Sequence, residues 1–213
     1  MSEQQKQIPK LVASLVEHQG AFGSMSTDDR QWVIQNTKDA IGLFAEAVKN
    51  RITKEVKKIL TLVAIVKVAA VEHFVAAEKF REGKTTDGVK IAWLGDNFKT
   101  NFLGKTEEGI KEAELKIHKL DQNLLDAPIM NELGDTAETT LAHLWELLKR
   151  QPKGEEGELL VNGWANIAYI RDGSGELWAV DSRWRAGRGG WRVAAHSVSD
   201  PHRWHAAHQV VSR

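Results

Sequence analysis

Hydrophobic and polar positions change period several times along this chain. Ile8 to Glu17 has the three-and-four spacing of a short amphipathic helix, ended by Gly20 and Gly23. Ser26-Thr27-Asp28-Asp29 is a helix start, with a side-chain cap followed by acids where the helix dipole favours negative charge. The helix it opens carries Trp32, Val33, Ile41, Phe44 and Val48, with breaks at Asn36-Thr37 and Gly42. From Ile52 to Arg81 the spacing predicts one long helix, with Val56, Ile59, Leu60, Val63, Val66, Ala70, Phe74 and Ala77 as its core positions. Val68, Val71 and Val75 fall elsewhere on the wheel, so the apolar surface wraps most of the way round, as in a central or oligomer-buried helix. The β-branched content leaves a strand as the alternative.

After the loop Gly83 to Gly88 the period shortens. Val89 to Leu94 reads as a strand closed by a turn at Gly95-Asp96-Asn97, and Ala113 to Ile117 alternates as a strand does. Ala127 to Leu133 is a short helix with Pro128 in its first turn, and Thr136 to Arg150 is a helix with Leu141, Leu144, Trp145 and Leu148 on one face. Five segments of the tail read as strands: Leu159 to Val161, Trp164 to Ile170, Leu177 to Trp184, Trp191 to Val198 and Gln209 to Ser212. Asp172 to Gly175 and Ala186 to Gly190 are their hairpin turns. Asp200 and Pro201 open a predicted helical turn that runs to His208.

These elements predict an α+β fold: a helical region over 1–85 with an oligomerisation face, a mixed segment over 86–150, and a Trp/Arg-rich β module over 151–213 forming an antiparallel sheet or small barrel. Composition marks the last boundary. The first 150 residues hold 17 of the 18 lysines, whereas 151–213 holds seven arginines and five of the eight tryptophans. Gln151 to Gly157 has the Pro, Gly and charge of an exposed connection.

Across the tail and the middle segment, Lys90 to Phe98, Asp126 to Gly134, Asn162 to Asp172 and Gln209 to Arg213 resemble a group of uncharacterised bacterial proteins. The likeness spans roughly 89–213. It implies the strand pattern already read from the residues, and it carries no activity, cofactor or site residue.

The chain holds 29 basic and 29 acidic side chains and no cysteine. Zero net charge argues against a nucleic-acid coat or a polybasic membrane binder, and the missing thiols exclude disulfides and cysteine chemistry. The polar start has no apolar signal core, and Lys67, Glu72 and His73 interrupt the most apolar stretch, so a cytoplasmic chain without a membrane anchor is expected.

Two constellations stand out. Arg183, Trp184, Arg185, Arg188, Trp191 and Arg192 combine phosphate-binding guanidiniums with indoles that stack on bases, which suits single-stranded nucleic acid. The same residues also make a tight hairpin with cross-strand tryptophans. His196, His202 and His205 are candidate metal ligands, with Asp200 as an alternative third, and on a helix His202, His205 and His208 fall three apart. No carboxylate sits among them as in a zincin motif. Gly104-Lys105-Thr106 lacks the glycine loop of a phosphate cradle, Ser174 reads as a hairpin tip, and Glu107-Glu108, Glu112 and Glu114 read as a solvated face. His118 and His143 read as structural. With no complete catalytic set and no cofactor motif, the expected function is a non-catalytic binding or assembly protein whose β module meets a protein partner or a second copy. Single-stranded nucleic-acid binding and a histidine-metal enzyme are the alternatives. A sheet edge that accepts a peptide strand is a further one.

Overall fold

The structure is a computed structural model that describes residues 13, 25–53 and 58–213. It divides into two compact units, 1–57 and 58–213. In the first, α1 (Thr27–Gln35) and α2 (Thr37–Thr53) meet at Asn36, where the sequence breaks. Ser26 caps α1, its hydroxyl accepting from the Asp29 amide at 3.1 Å. Neither Gly42 nor its neighbours interrupt α2. Of the expected helix over Ile8 to Glu17 only Ala13 is described, and it is helical; the side chain of Val48 lies outside the described residues.

The second unit is built on a nine-stranded sheet. Its strands are β1 (Leu60–Val68), β3 (Thr85–Thr86), β4 (Val89–Leu94), β6 (Ala113–Leu120), β7 (Glu138–Thr139), β8 (Asn166–Arg171), β9 (Leu177–Arg185), β10 (Gly190–Ser197) and β11 (Gln209–Ser212). They lie in the order β1-β6-β11-β8-β9-β10-β4-β3, with β7 also against β8. β2 (Val71–Val75) and β5 (Thr106–Ile110) form a separate antiparallel pair. The helices are α3 (Ala76–Lys79), α4 (Asp96–Phe102), α5 (Asp126–Leu133) and α6 (Leu141–Arg150). The α+β class stands, and the sheet is mixed rather than antiparallel: β4/β10, β8/β11 and β7/β8 run parallel.

The long helix expected over Ile52 to Arg81 is instead the end of α2, the strands β1 and β2, and α3. A bulge between Leu62 and Ala64 explains the false helical period. It moves the even positions of β1 from one sheet face to the other, so Leu60 joins one core and Val66 and Val68 the other. Apolar side chains on both faces of a kinked strand imitate a helix wrapped all round.

Each face of the sheet has a core. On one, α6 lays down Leu141, Leu144, Trp145 and Leu148 with Phe80, Phe98, Phe102, Ile170, Val180, Trp184 and Trp191. On the other, α5 and the segment after β10 bury Ile129 and Trp204 with Ile167, Tyr169, Ala179 and Val210. The N-terminus of α6 is held twice. Thr140 caps it through the His143 amide, and the Glu107 carboxylate accepts from the Leu141 and Ala142 amides at 3.1 and 2.8 Å. Glu107 is therefore buried, not part of a solvated acidic face, because it neutralises exposed helix amides and pairs with Lys105 at 2.9 Å.

The segment after α6 exposes Lys153 and Glu155 to Gly157, but it does not separate two units. Gln151 is buried; its amide donates to the Glu155 and Leu159 carbonyls and accepts from the Leu159 amide. Residues 86–150 and 151–213 thus share one sheet and both of its cores. No strand forms over Leu159 to Val161.

Candidate functional site

Strand alternation places Ala179, Asp181 and Arg183 on the face of the sheet opposite α6, and the β9/β10 register sets Arg192 against Arg183 and His196 against Ala179. Asp181 is fully buried at the centre of this group. It accepts from Arg183 Nε at 2.6 Å, from Arg192 at 3.4 Å, and pairs with His196 Nε2 at 3.2 Å. Burial pushes its carboxyl up, but His196 and Arg183 outweigh it and hold Asp181 below the usual carboxylate range. Arg192 is held below its ordinary value, first by burial and then by Arg183 and Arg185, against the pull of Asp181.

The histidine run lies beside this group in a different form from the one its spacing predicts. The helical turn expected from Asp200 to His208 is absent. The chain there is irregular and is pinned by a two-way bridge in which the Trp204 and Leu124 amides each donate to the other's carbonyl. A pairing with a residue far back in sequence overrides the local helix signal. The three-residue spacing therefore does not gather the imidazoles. His196 and His202 stack, with ring centroids 5.0 Å apart and 10° between planes, while His205 lies edge-on to His208 at 5.9 Å. Among the described residues no three of His, Asp or Glu are arranged to hold a metal ion, so His196, His202 and His205 do not form the expected centre.

His208 is 2% exposed, and neither ring nitrogen has a hydrogen-bond partner. Burial, then Arg183 and His205, lower its pKa to about 4, so it is neutral near pH 7. Deeper in, Asp126 accepts from Tyr169 and from Trp204 Nε1, both at 2.7 Å. Burial raises its pKa despite those two bonds.

At the hairpin end the six expected surface residues separate. Trp184 and Trp191 point to the α6 side and are 8% and 0% exposed. They pack edge-to-face at 5.5 Å, and Trp191 donates to the Gln151 carbonyl. Neither can offer a face for base stacking. Arg183 turns to Asp181. Arg185, Arg188 and Arg192 come together with a residue the hairpin alone does not contain, Trp93 of β4. The Arg192 guanidinium lies 4.7 Å from the centre of the Trp93 ring, a cation–π contact made possible by the parallel β4/β10 pairing. The four residues line a solvent-open pocket of about 170 Å³. Arg185 and Arg188 have no carboxylate partner among the described residues.

Asp181 and Trp93 were not singled out in the sequence. A signal existed for Asp181, since an acid on an inward position two residues before an arginine is a pairing pattern. Trp93 needs the parallel register of two strands far apart in sequence.

Elsewhere, Lys105 bonds the Arg171 carbonyl and Glu107 and does not form a phosphate loop, and the Ser174 hydroxyl donates to Asp172 at a hairpin tip. His143 contacts Thr139 and the Lys111 carbonyl, and His118 contacts Ser212. No helix among the described residues is long and apolar enough to cross a membrane. Comparison with family models, with curated proteins and with solved structures finds no match for the chain.

Proposed function

We propose that this chain is a non-catalytic binding protein whose β9–β10 hairpin end holds a phosphate-bearing ligand, with single-stranded nucleic acid as the class favoured. The observation that supports this is the pocket of Arg185, Arg188, Arg192 and Trp93. Three guanidiniums lie around one small opening, and two of them lack a carboxylate. Arg192 is destabilised by burial and by its neighbouring cations, and an incoming anion relieves that repulsion. Its guanidinium lies over the Trp93 ring, so the site combines the cation and the aromatic ring that single strands use.

The test is fluorescence anisotropy of labelled single-stranded DNA and RNA at about 50 and 200 mM salt. Binding is expected to weaken with salt, with a logarithmic slope of roughly 0.7 per phosphate contacted. The double variant Arg185→Ala, Arg188→Ala is expected to lose about one unit or more of that slope. Absence of binding at both salts overturns the reading.

Self-association is a second reading, supported by one observation. β1 is an outer strand of the sheet, and among the described residues its other edge has no partner. Leu62, Val63 and Ile65 on it are about half exposed. An edge of this kind pairs with its own copy about a two-fold axis.

A further inference from the structure

A second, larger opening lies against the same turn. It has a volume of about 550 Å³ and is lined by Val161, Asn162, Gly163 and Trp184 together with Arg185 and Ala186 to Arg188. Arg185 and Arg188 therefore border both cavities. The smaller one, at about 170 Å³, is below the size of an ordinary small-molecule site, whereas the larger falls inside that range.

The two cavities differ in chemistry. The smaller is walled by three guanidiniums and one indole. Away from the shared arginines the larger is lined by Val161, Gly163, Trp184, Ala186 and Gly187, none of which carries a charge. Its other side-chain polar group is the Asn162 amide, whose Oδ1 accepts from the Trp164 amide and whose Nδ2 has no partner among the described residues. A ligand that fills both has an anionic group at one end and, next to it, a flat body with a hydrogen-bond acceptor on its rim.

Gly187 supplies an independent indication. A Cβ built there meets no protein atom, so the packing of the hairpin does not require glycine at this position. Its φ does not require it either, in contrast to Gly189 at +53°. Gly187 lines the larger cavity, and a Cβ there stands in open space.

Resting on the phosphate reading of the arginine pocket, we infer that the larger cavity seats a nucleobase, so that the hairpin end takes one nucleotide of a single strand with its phosphate between Arg185, Arg188 and Arg192. Both openings face solvent, which lets the strand run in and out. The Asn162 amide donates to the edge of the base, and Trp184 gives it an apolar wall.

The experiment compares two labelled 12-mers with the same number of phosphates, oligo(dT) and an abasic strand, on the full-length protein at about 50 mM salt. Oligo(dT) is expected to bind at least about fivefold more tightly. Gly187→Leu, at a position with room for a side chain, is expected to abolish the preference, so that oligo(dT) and the abasic strand bind the variant alike. A retained melting transition shows that the variant is folded. Asn162→Leu is expected to act in the same direction. Equal affinity for the two strands overturns the base seat and leaves the phosphate reading standing. A preference for oligo(dT) that survives Gly187→Leu places the base elsewhere and also overturns the seat. Failure of both strands to bind overturns the phosphate reading and the seat with it.

Discussion

Asp181 Oδ1 accepts from Arg183 Nε at 2.6 Å, and the two side chains leave the same face of β9 two residues apart. That carboxylate is fully buried, and Arg192 and His196 reach it from β10. A buried charge of this kind is tolerable only while its partners remain. Removing it strands two guanidiniums in a partly buried site. Asp181→Ala is expected to destabilise the fold by about 3 kcal/mol or more, read by urea denaturation. A loss below about 1 kcal/mol means that Arg183 and Arg192 reach water without it.

His208 gives the fold a pH dependence whose sign is fixed by its burial. Its folded pKa, about 4, lies below the ordinary value of 6.5. As pH falls through 6.5 the unfolded chain takes up a proton that the folded chain refuses. The stability that depends on neutral His208 is therefore complete above pH 6.5 and is lost as pH drops towards 4, by about 3 kcal/mol in all. His202, lowered by burial and by His196, acts in the same direction. Asp126 acts oppositely, because its raised pKa favours the fold at low pH. The contribution of His208 is isolated by subtracting the stability of His208→Leu from that of the parent at several pH values between 4 and 7. The difference is expected to slope upward with pH, and a flat difference means that folded and unfolded chains take up the His208 proton alike.

Trp184 is held in place by Gly154. At φ +72° the glycine sits in the left-handed region, and a Cβ built there collides with the Trp184 indole. Gly154→Ala therefore meets backbone strain and a steric clash together. A loss of about 2–4 kcal/mol is expected, with a shifted tryptophan emission as the indole moves. Because Trp184 walls the larger cavity, the same variant is expected to weaken oligo(dT) more than the abasic strand.

Much of the second unit was legible in the sequence because its strands are short apolar or partly alternating runs bounded by turn residues. β4, β6, β8, β9 and β10 overlap the segments expected to begin at Val89, Ala113, Trp164, Leu177 and Trp191, and the glycine turns fix the hairpins. What was hidden depends on distant partners. The bulge beside Val63 disguised β1, the Leu124–Trp204 bridge dissolved the helical turn around His205, and Gln151 folded a linker-like stretch back over Trp191. The arginine pocket was half visible. Arg185, Arg188 and Arg192 stand together in the chain, but alternation that put two tryptophans beside them also turned those indoles inward. The indole that completes the pocket, Trp93, arrives from another strand.

The free edge of β1 carries the last prediction. Leu62, Val63 and Ile65 expose about half their surface on a nine-residue strand whose one cation, Lys67, leans 3.4 Å from Glu114 of β6. Sheet edges are usually protected by charge, proline or a cover. Antiparallel pairing of two β1 strands joins free backbone amides to free carbonyls and removes those apolar side chains from water in both copies. Ile65→Lys places a second cation on that edge, where two copies repel one another, while the exposed position keeps the effect on monomer stability within about 0.5 kcal/mol. Sedimentation velocity across a concentration series is expected to show the parent associating and Ile65→Lys remaining monomeric. A parent that stays monomeric at the highest concentration removes β1 as a self-association edge.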